Sequence, residues 1–274
     1  MTNYTREEQI TCCIARSFSA EDNFCAIATS FSGSVALVLA KELYAPRLSL
    51  VGWAEGKYAI LKDLRFPTTP GSPPEKCIET VFSSEEAFSL VVGGKWFVIM
   101  QAVQIDQHGY TNLSLLGDKF KPTQTFVGSR GVPTNTVVMP RTLLFVSNHV
   151  SRVFVKEVDF KSGVGYGDER KTGTVKWGAP IEVISNLCLM DFEEETGKAR
   201  LKSLHTGVSL EQVKENTGFD LIIPEEISET PAPTDEELRL LRDVIDPCGV
   251  RRLDFVRGEE YKQVMSEIVA AAKQ

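Results

Sequence analysis

Histidine is scarce in this chain, and that scarcity removes several chemistries at once. Only three of the 274 residues are histidines. His108, His149 and His205 stand far apart, so their spacing spells no metal triad. The six cysteines (Cys12, Cys13, Cys25, Cys77, Cys188 and Cys248) contain no CxxC or CxxH pair, which argues against a zinc knuckle and fits reduced thiols. Cys12 and Cys13 fall mid-helix on an expected core face, a poor place for a nucleophile. No apolar run approaches the ~18 residues of a membrane-crossing helix. Met1 to Ile10 carries Arg6, Glu7 and Glu8 instead of an apolar core, so neither a signal peptide nor a membrane contact is expected, and the expected location is cytoplasmic. Positive charge is in deficit, 30 Lys and Arg against 37 Asp and Glu. A nucleic-acid surface or a polybasic anchor needs the opposite balance, so neither partner is expected. Also missing are a Gly-x-Ser-x-Gly elbow, a GxGxxG turn after a first strand, and the GK[ST] of a phosphate loop.

What is present is an ordinary globular composition, 42% hydrophobic and 24% charged, with enough length for a substantial core. Thr5 caps a first helix in which Ile10, Cys13, Ile14 and Phe18 recur at helical spacing. Phe24 to Ala28 reads as a buried strand, Thr29 to Ser34 as a small-residue loop, Val35 to Leu43 as a helix, and Leu48 to Trp53 as a second strand. That order is a βαβ unit, so the expected fold class is α/β, with an open, mostly parallel sheet and flanking helices. Leu64 to Pro74 is rich in Pro, Thr and Ser and is expected to be irregular. A short helix from Ser84 closes at Gly93-Gly94, and Trp96 to Val103 makes a strongly buried strand. Leu143 to Val146, Arg152 to Val158, Ile181 to Ser185 and Leu187 to Phe192 continue the strands, and Glu193 to Gly197 reads as a hairpin tip. Pro224 to Pro233 reads as an acidic surface arm. The expected organisation is one domain over 1–250 and a helical tail over 251–274.

The functional candidates are loops. Ser49 to Gly56 is an apolar run ending in a turn where Glu55 stands beside Gly56. Gln104 to Asn112 reads most simply as a turn rich in Asp, Gly and Asn. Thr125 to Thr136 carries Gly128, Ser129, Arg130, Gly131 and Asn135. It is either a backbone nest for an anion or a crossover loop whose glycines need positive φ. Ser162 to Gly167 is glycine-rich. Asn148 and His149 sit between strands, where His149 either fills a structural role or donates into a cleft. In an open parallel sheet, loops after strands gather where ligands bind.

The motif order resembles the β subunit of class I CoA-transferases, the glutaconate type within them. The shared features are Asn3-Tyr4-Thr5, Tyr44-Ala45-Pro46, Gln104-Ile105-Asp106-x-x-Gly109, Asn112, Gly117-Asp118, Phe126-x-Gly128-Ser129-x-Gly131, Glu215 to Asp220 and Ile245-Asp246-Pro247. The resemblance implies a heteromeric enzyme, α2β2 or larger, acting on an acyl-CoA with coenzyme A as part of the substrate and no bound cofactor or metal. It also implies a glutamate nucleophile at the end of the second strand. This chain departs there: alignment on Gly56 puts Ala54 at that place, alignment without a gap from Ala45-Pro46 puts Trp53 there, and Glu55 stands one or two residues further on. A second set of residues is similar to one branch, the β subunit of a steroid ring-opening CoA hydrolase: Arg130-Gly131-x-Pro133-x-Asn135-Thr136, Asn148-His149, Arg152 to Val155, Ser162-Gly163-x-Gly165-Tyr166 and Ser203 to Val208. In that branch the working carboxylate belongs to the α subunit. The expected activity is hydrolytic C–C cleavage of a keto-acyl-CoA in steroid-type lipid degradation. The alternatives are CoA transfer between dicarboxylic acids, with Glu55 as nucleophile, and a non-catalytic β subunit completing its partner's site. Gly128, Ser129, Arg130, Gly131 and Asn135 are then the expected oxyanion or substrate loop, with Asn112, Asn148 and His149 as neighbouring candidates.

Overall fold

The computed structural model describes residues 3–67, 73–175 and 181–273. Residues 68–72 of the irregular Leu64 to Pro74 stretch lie outside them. The chain divides into two compact units, Met1–Ile99 with Pro231–Gln274, and Met100–Thr230. The fold class is α/β, as the alternation of strand and helix patterns led us to expect.

In the first unit, α1 (Arg6–Arg16) starts with a capping box. Thr5 Oγ1 accepts from Glu8 N, and the Glu8 carboxylate accepts from Thr5 N at 2.9 Å. β1 (Cys25–Ala28) feeds α2 (Phe31–Leu43). That helix begins four residues before Val35, because Ser30 Oγ accepts from Gly33 N at 3.0 Å and so caps it earlier. β2 (Ser49–Ala54), β3 (Lys57–Leu61), β4 (Ile78–Phe82), α3 (Ser84–Val92) and β5 (Trp96–Met100) follow. The strand order is β5-β1-β2-β3-β4. β1 is parallel to both β2 and β5, while β2, β3 and β4 are antiparallel. β5 is buried at every position, as a parallel strand covered on both faces must be, but it ends at Met100 instead of Val103. Phe24 stacks on Phe97 at 5.2 Å between centroids, and Phe18 meets the same ring edge-on.

The second unit holds β6 (Gln104–Asp106), β7 (Thr111–Asn112), β8 (Leu115–Asp118), β9 (Lys121–Thr125), α4 (Val132–Val138), β10 (Thr142–Val146), β11 (Phe154–Val155) and α5 (Asp168–Lys171). β12 (Ile181–Ser185), β13 (Cys188–Phe192), β14 (Ala199–Leu204), α6 (Leu210–Glu215) and β15 (Ser228–Glu229) complete it. β10 and β12 pair in parallel, β12, β13 and β14 run antiparallel, and β15 lies parallel to β14. β6 is flanked by β7 and β11, and β8 with β9 makes a separate ribbon. Three expectations change here. The Gln104 to Asn112 turn includes two short strands, since the Asp106 carboxylate accepts from His108 N and Tyr110 N and folds the chain back on itself. The strand expected over Arg152 to Val158 shrinks to Phe154–Val155, because Val153 N and Phe154 N both donate to Val150 O in a turn. Pro224 to Pro233 is not simply a surface arm: it contributes β15, and the Thr230 hydroxyl is buried against Ser203 Oγ and His205 Nδ1.

The chain then returns to the first unit through α7 (Asp235–Arg239), a π-helical turn over Leu240–Ile245, a 3-10 turn over Val250–Asp254, and α8 (Gly258–Ala271). Arg251 joins Glu8 at 2.9 Å and Asp246 at 2.8 Å. The Asp254 carboxylate accepts from Phe31 N and Ser32 N at the start of α2. Burial pushes the Asp254 carboxyl up, and these N–H donors offset it only in part. Residues 251–254, placed in a tail by their sequence, are thus integral to the first unit's core. α8 itself buries only Val264 and Ile268.

Candidate functional site

The Glu55 turn belongs to the first unit. Ala54 pairs with Lys57 across the β2–β3 ladder, so Glu55 and Gly56 form a two-residue hairpin turn. Both take positive φ, 51° and 77°, the combination a type I′ turn requires, and glycine meets it at position 56 without strain. Glu55 points to solvent at the tip, and Ala54 is buried as the last strand residue.

The second unit brings three of the predicted loop segments together. Asn112 is fully buried, and its side chain organises the turn that follows. Nδ2 donates to Gln104 Oε1 and Leu115 O, both at 2.7 Å, while Oδ1 accepts from Ser114 N at 2.9 Å. Phe126 N donates to Ser114 O, which sets the 126–131 loop against this turn. On the other side, Ser162 N and Gly163 N donate to Thr111 O. Gly163 has no room for a side chain, since a Cβ there would stand 2.3 Å from Thr111 Oγ1 and 2.8 Å from Val132 Cγ1. Thr136 Oγ1 accepts from Val164 N at 3.0 Å and donates to Val132 O, tying α4 to the same glycine-rich segment.

Within the 126–136 loop, Gly128 takes φ 84°, as a crossover glycine was expected to, but Gly131 does not. The second left-handed residue is Arg130, at φ 48°, followed by a right-handed Gly131 at φ −80°. The N–H groups of Ser129, Arg130 and Gly131 find no backbone acceptor among the described residues. Asn135, nine-tenths buried, lies beneath this turn, with Nδ2 3.5 Å from where a Gly131 Cβ would be. Arg130 is exposed and Ser129 half-buried. Such a loop offers an exposed cation, a hydroxyl and N–H groups without a backbone acceptor to an oxygen-bearing ligand.

His149 and Asn148 are not part of that cluster's hydrogen bonding. His149 is 2% exposed and stacks on Phe154 at 3.9 Å. Its Nδ1 is 2.8 Å from Ser185 Oγ, and its Nε2 is 3.0 Å from Thr217 Oγ1. Burial pushes its pKa down to about 3, so it is a neutral core residue and does not donate into a cleft. Asn148 is exposed beside it. Among the described residues no group of three His, Cys, Asp or Glu could hold a metal ion.

Sequence reasoning missed Ser114, and it named Ser162 only as the start of a glycine-rich loop. Ser114 Oγ lies 2.9 Å from Ser129 Oγ and 2.8 Å from Ser162 Oγ, so three hydroxyls join the three segments. Serines in loops carry no spacing signal, and only the fold shows that they meet. A cavity of about 660 Å³ is lined by Lys214, Thr217, Gly218, Phe219 and Asp220, which belong to the motif Glu215 to Asp220 and its flank. Those residues had served only to establish resemblance.

No family model matches the chain. Comparison with characterised proteins is more informative. The chain is 40% identical over 189 residues, 69% of its length and 74% of the relative's, to the cholesterol ring-cleaving hydrolase IpdB subunit of Rhodococcus jostii (strain RHA1). It is 34% identical over 169 residues, 60% of its length and 65% of the relative's, to the β-type subunit of 3-oxoadipate CoA-transferase from Pseudomonas knackmussii. The crystal structure of Rhodococcus jostii RHA1 IpdAB contains a chain that matches with a TM-score of 0.83 and 34% identity, covering 93% of this chain and all of that one. Among the described residues no helix is long and apolar enough to cross a membrane. At the identity and coverage of these matches, the chain belongs to the family that unites IpdB-type ring-cleaving hydrolase subunits with the β-type subunits of CoA-transferases.

Proposed function

We propose that this chain is the β subunit of a two-subunit, cytoplasmic enzyme, α2β2 or larger, that cleaves a C–C bond of a keto-acyl-CoA by hydrolysis during breakdown of a steroid-type ring. The observation that carries the reading is the β2–β3 turn. A CoA-transferase needs a carboxylate that can reach a thioester carbonyl, and here the strand ends in the buried methyl of Ala54. Glu55 stands beyond the strand end, on an exposed two-residue hairpin tip. The reaction therefore takes its base from the α subunit. A water deprotonated there adds to a ring ketone, and the tetrahedral adduct collapses with cleavage of the adjacent C–C bond. The electron pair goes to the carbon next to a second carbonyl and is then protonated, leaving a new carboxylate. This chain's part is to bind and polarise oxygens through Ser129, Arg130 and the N–H groups of the 129–131 turn.

The test is to purify the chain with its α subunit and assay a keto-acyl-CoA with and without an acceptor acid. Ring opening that needs no acceptor is the expected result. Hydroxylamine-sensitive trapping of a glutamyl-CoA thioester on Glu55 would overturn it in favour of transfer.

A further inference from the structure

We infer that Ser162, Ser114 and Ser129 form a directed hydroxyl chain that presents the Ser129 O–H as a fixed donor to the ligand's carbonyl or carboxylate oxygen. Ser114 and Ser162 act as positioning residues behind it. The inference rests on the proposed role of the 128–131 loop and names the group through which that loop recognises oxygen.

The direction follows from counting protons. Each serine hydroxyl has one hydrogen to donate and two lone pairs to accept with. Leu113 N can only donate, and it donates to Ser162 Oγ at 3.0 Å. Ser162 is 2% exposed, and its remaining hydroxyl neighbour is Ser114 Oγ at 2.8 Å. Were Ser114 to donate to Ser162, the Ser162 hydrogen would be left buried without an acceptor, which is unfavourable by the desolvation of that group. With Ser162 donating to Ser114, the Ser114 hydrogen turns to Ser129 Oγ at 2.9 Å, and the hydrogen left over is that of Ser129. Ser129 is the half-buried end of the chain, next to the exposed Arg130. Hydroxyls in series polarise one another, so the terminal O–H is a better donor than an isolated serine.

The chain also explains the neighbouring backbone. Ser162 is held by its own N–H to Thr111 O at 2.8 Å, beside Gly163, where no side chain fits. Ser114 is held by Asn112 Oδ1 from one side and, through its carbonyl, by Phe126 N from the other. Ser129 is fixed by Val132 N donating to its carbonyl at 3.0 Å. Each of the three hydroxyls therefore rides on anchored backbone, as a preorganised donor requires.

A double-mutant cycle on the αβ complex tests this. Ser129→Ala is expected to lower kcat on the keto-acyl-CoA by ~10- to 100-fold with KM changed much less. Ser114→Ala is expected to lower kcat by a smaller factor, and Ser114→Ala combined with Ser129→Ala to be no worse than Ser129→Ala alone. Melting temperatures of all variants check folding, and Ser114→Thr should restore most of the rate. Additive losses in the cycle, or Ser114→Ala behaving as wild type, overturn the hydroxyl chain. If the wild-type complex transfers CoA instead of hydrolysing, the proposed reaction falls, while the same cycle read on transfer still decides the chain. If neither reaction is seen, calorimetric affinity for the keto-acyl-CoA replaces kcat, with the same non-additivity expected.

Discussion

Ala54 and Lys57 face each other as the last pair of the β2–β3 ladder, with only Glu55 and Gly56 between them. A two-residue turn fixes the backbone at Glu55, and its side chain stands exposed at the hairpin tip. Glu55→Gln is therefore expected to retain kcat and KM of the αβ complex within about twofold, since only a surface charge changes. Loss of ring-opening activity by a factor of about a hundred would restore Glu55 to the chemistry.

The same turn makes a structural prediction at its second position. Gly56→Val places a β-branched side chain at φ 77° in open solvent, so strain and not collision sets its effect. A loss of about 1–2 kcal/mol in urea unfolding is expected. An unchanged midpoint would mean that the hairpin tip relaxes to another turn type.

His149 predicts a pH dependence of stability. Its folded pKa is pushed down to about 3 by burial, against about 6.5 in an unfolded chain. Between those values the unfolded state binds the extra proton, so this contribution is complete above about pH 6.5 and is lost progressively as pH falls toward 3. At about pH 5 the loss is on the order of 2 kcal/mol. His149→Gln should unfold more easily near pH 7 yet show a flatter profile between about pH 7 and 5. Parallel profiles for the two proteins would remove His149 as the source.

Glu237 predicts dependence of the opposite chemical origin. Burial alone would push its carboxyl up, but Arg16, the Thr234 N–H and Tyr44 outweigh that and hold it below the ordinary value. Arg16 Nε donates to it at 2.7 Å, and Tyr44 Oη at 2.6 Å. Glu237→Gln leaves Arg16 without its charge partner and should cost about 3 kcal/mol near pH 7. The stabilisation is present above the ordinary glutamate range and lost as pH falls through the lowered folded value. The gap between wild type and variant, measured by denaturant midpoints, should accordingly narrow below about pH 4. A constant gap would show that the charge is not what matters.

How much was legible beforehand can be judged residue by residue. The Thr5 cap of the first helix, the strand Cys25–Ala28, the buried strand Trp96–Met100, and the hairpin tip at Glu193 to Gly197 all depend on neighbours within a few positions, and their patterns spell them out. The family was legible through ordered motifs such as Gln104-Ile105-Asp106 and Phe126-x-Gly128-Ser129-x-Gly131. Asn112 was singled out from sequence, but its position as a fully buried hub of four hydrogen bonds was not.

By itself, then, the sequence determined the α/β class, the family and the loops to inspect, because hydrophobic period and motif order are local properties of a chain. The tertiary structure decided which way those loops face. It set Glu55 on an exposed hairpin tip, in a turn with both of its residues at positive φ. It buried His149 between Ser185 and Thr217, residues 36 and 68 positions away. It joined Ser114, Ser129 and Ser162, which share no spacing rule. Contacts between residues so far apart depend on how strands pair and helices pack, and no local pattern encodes where a side chain will point once they do.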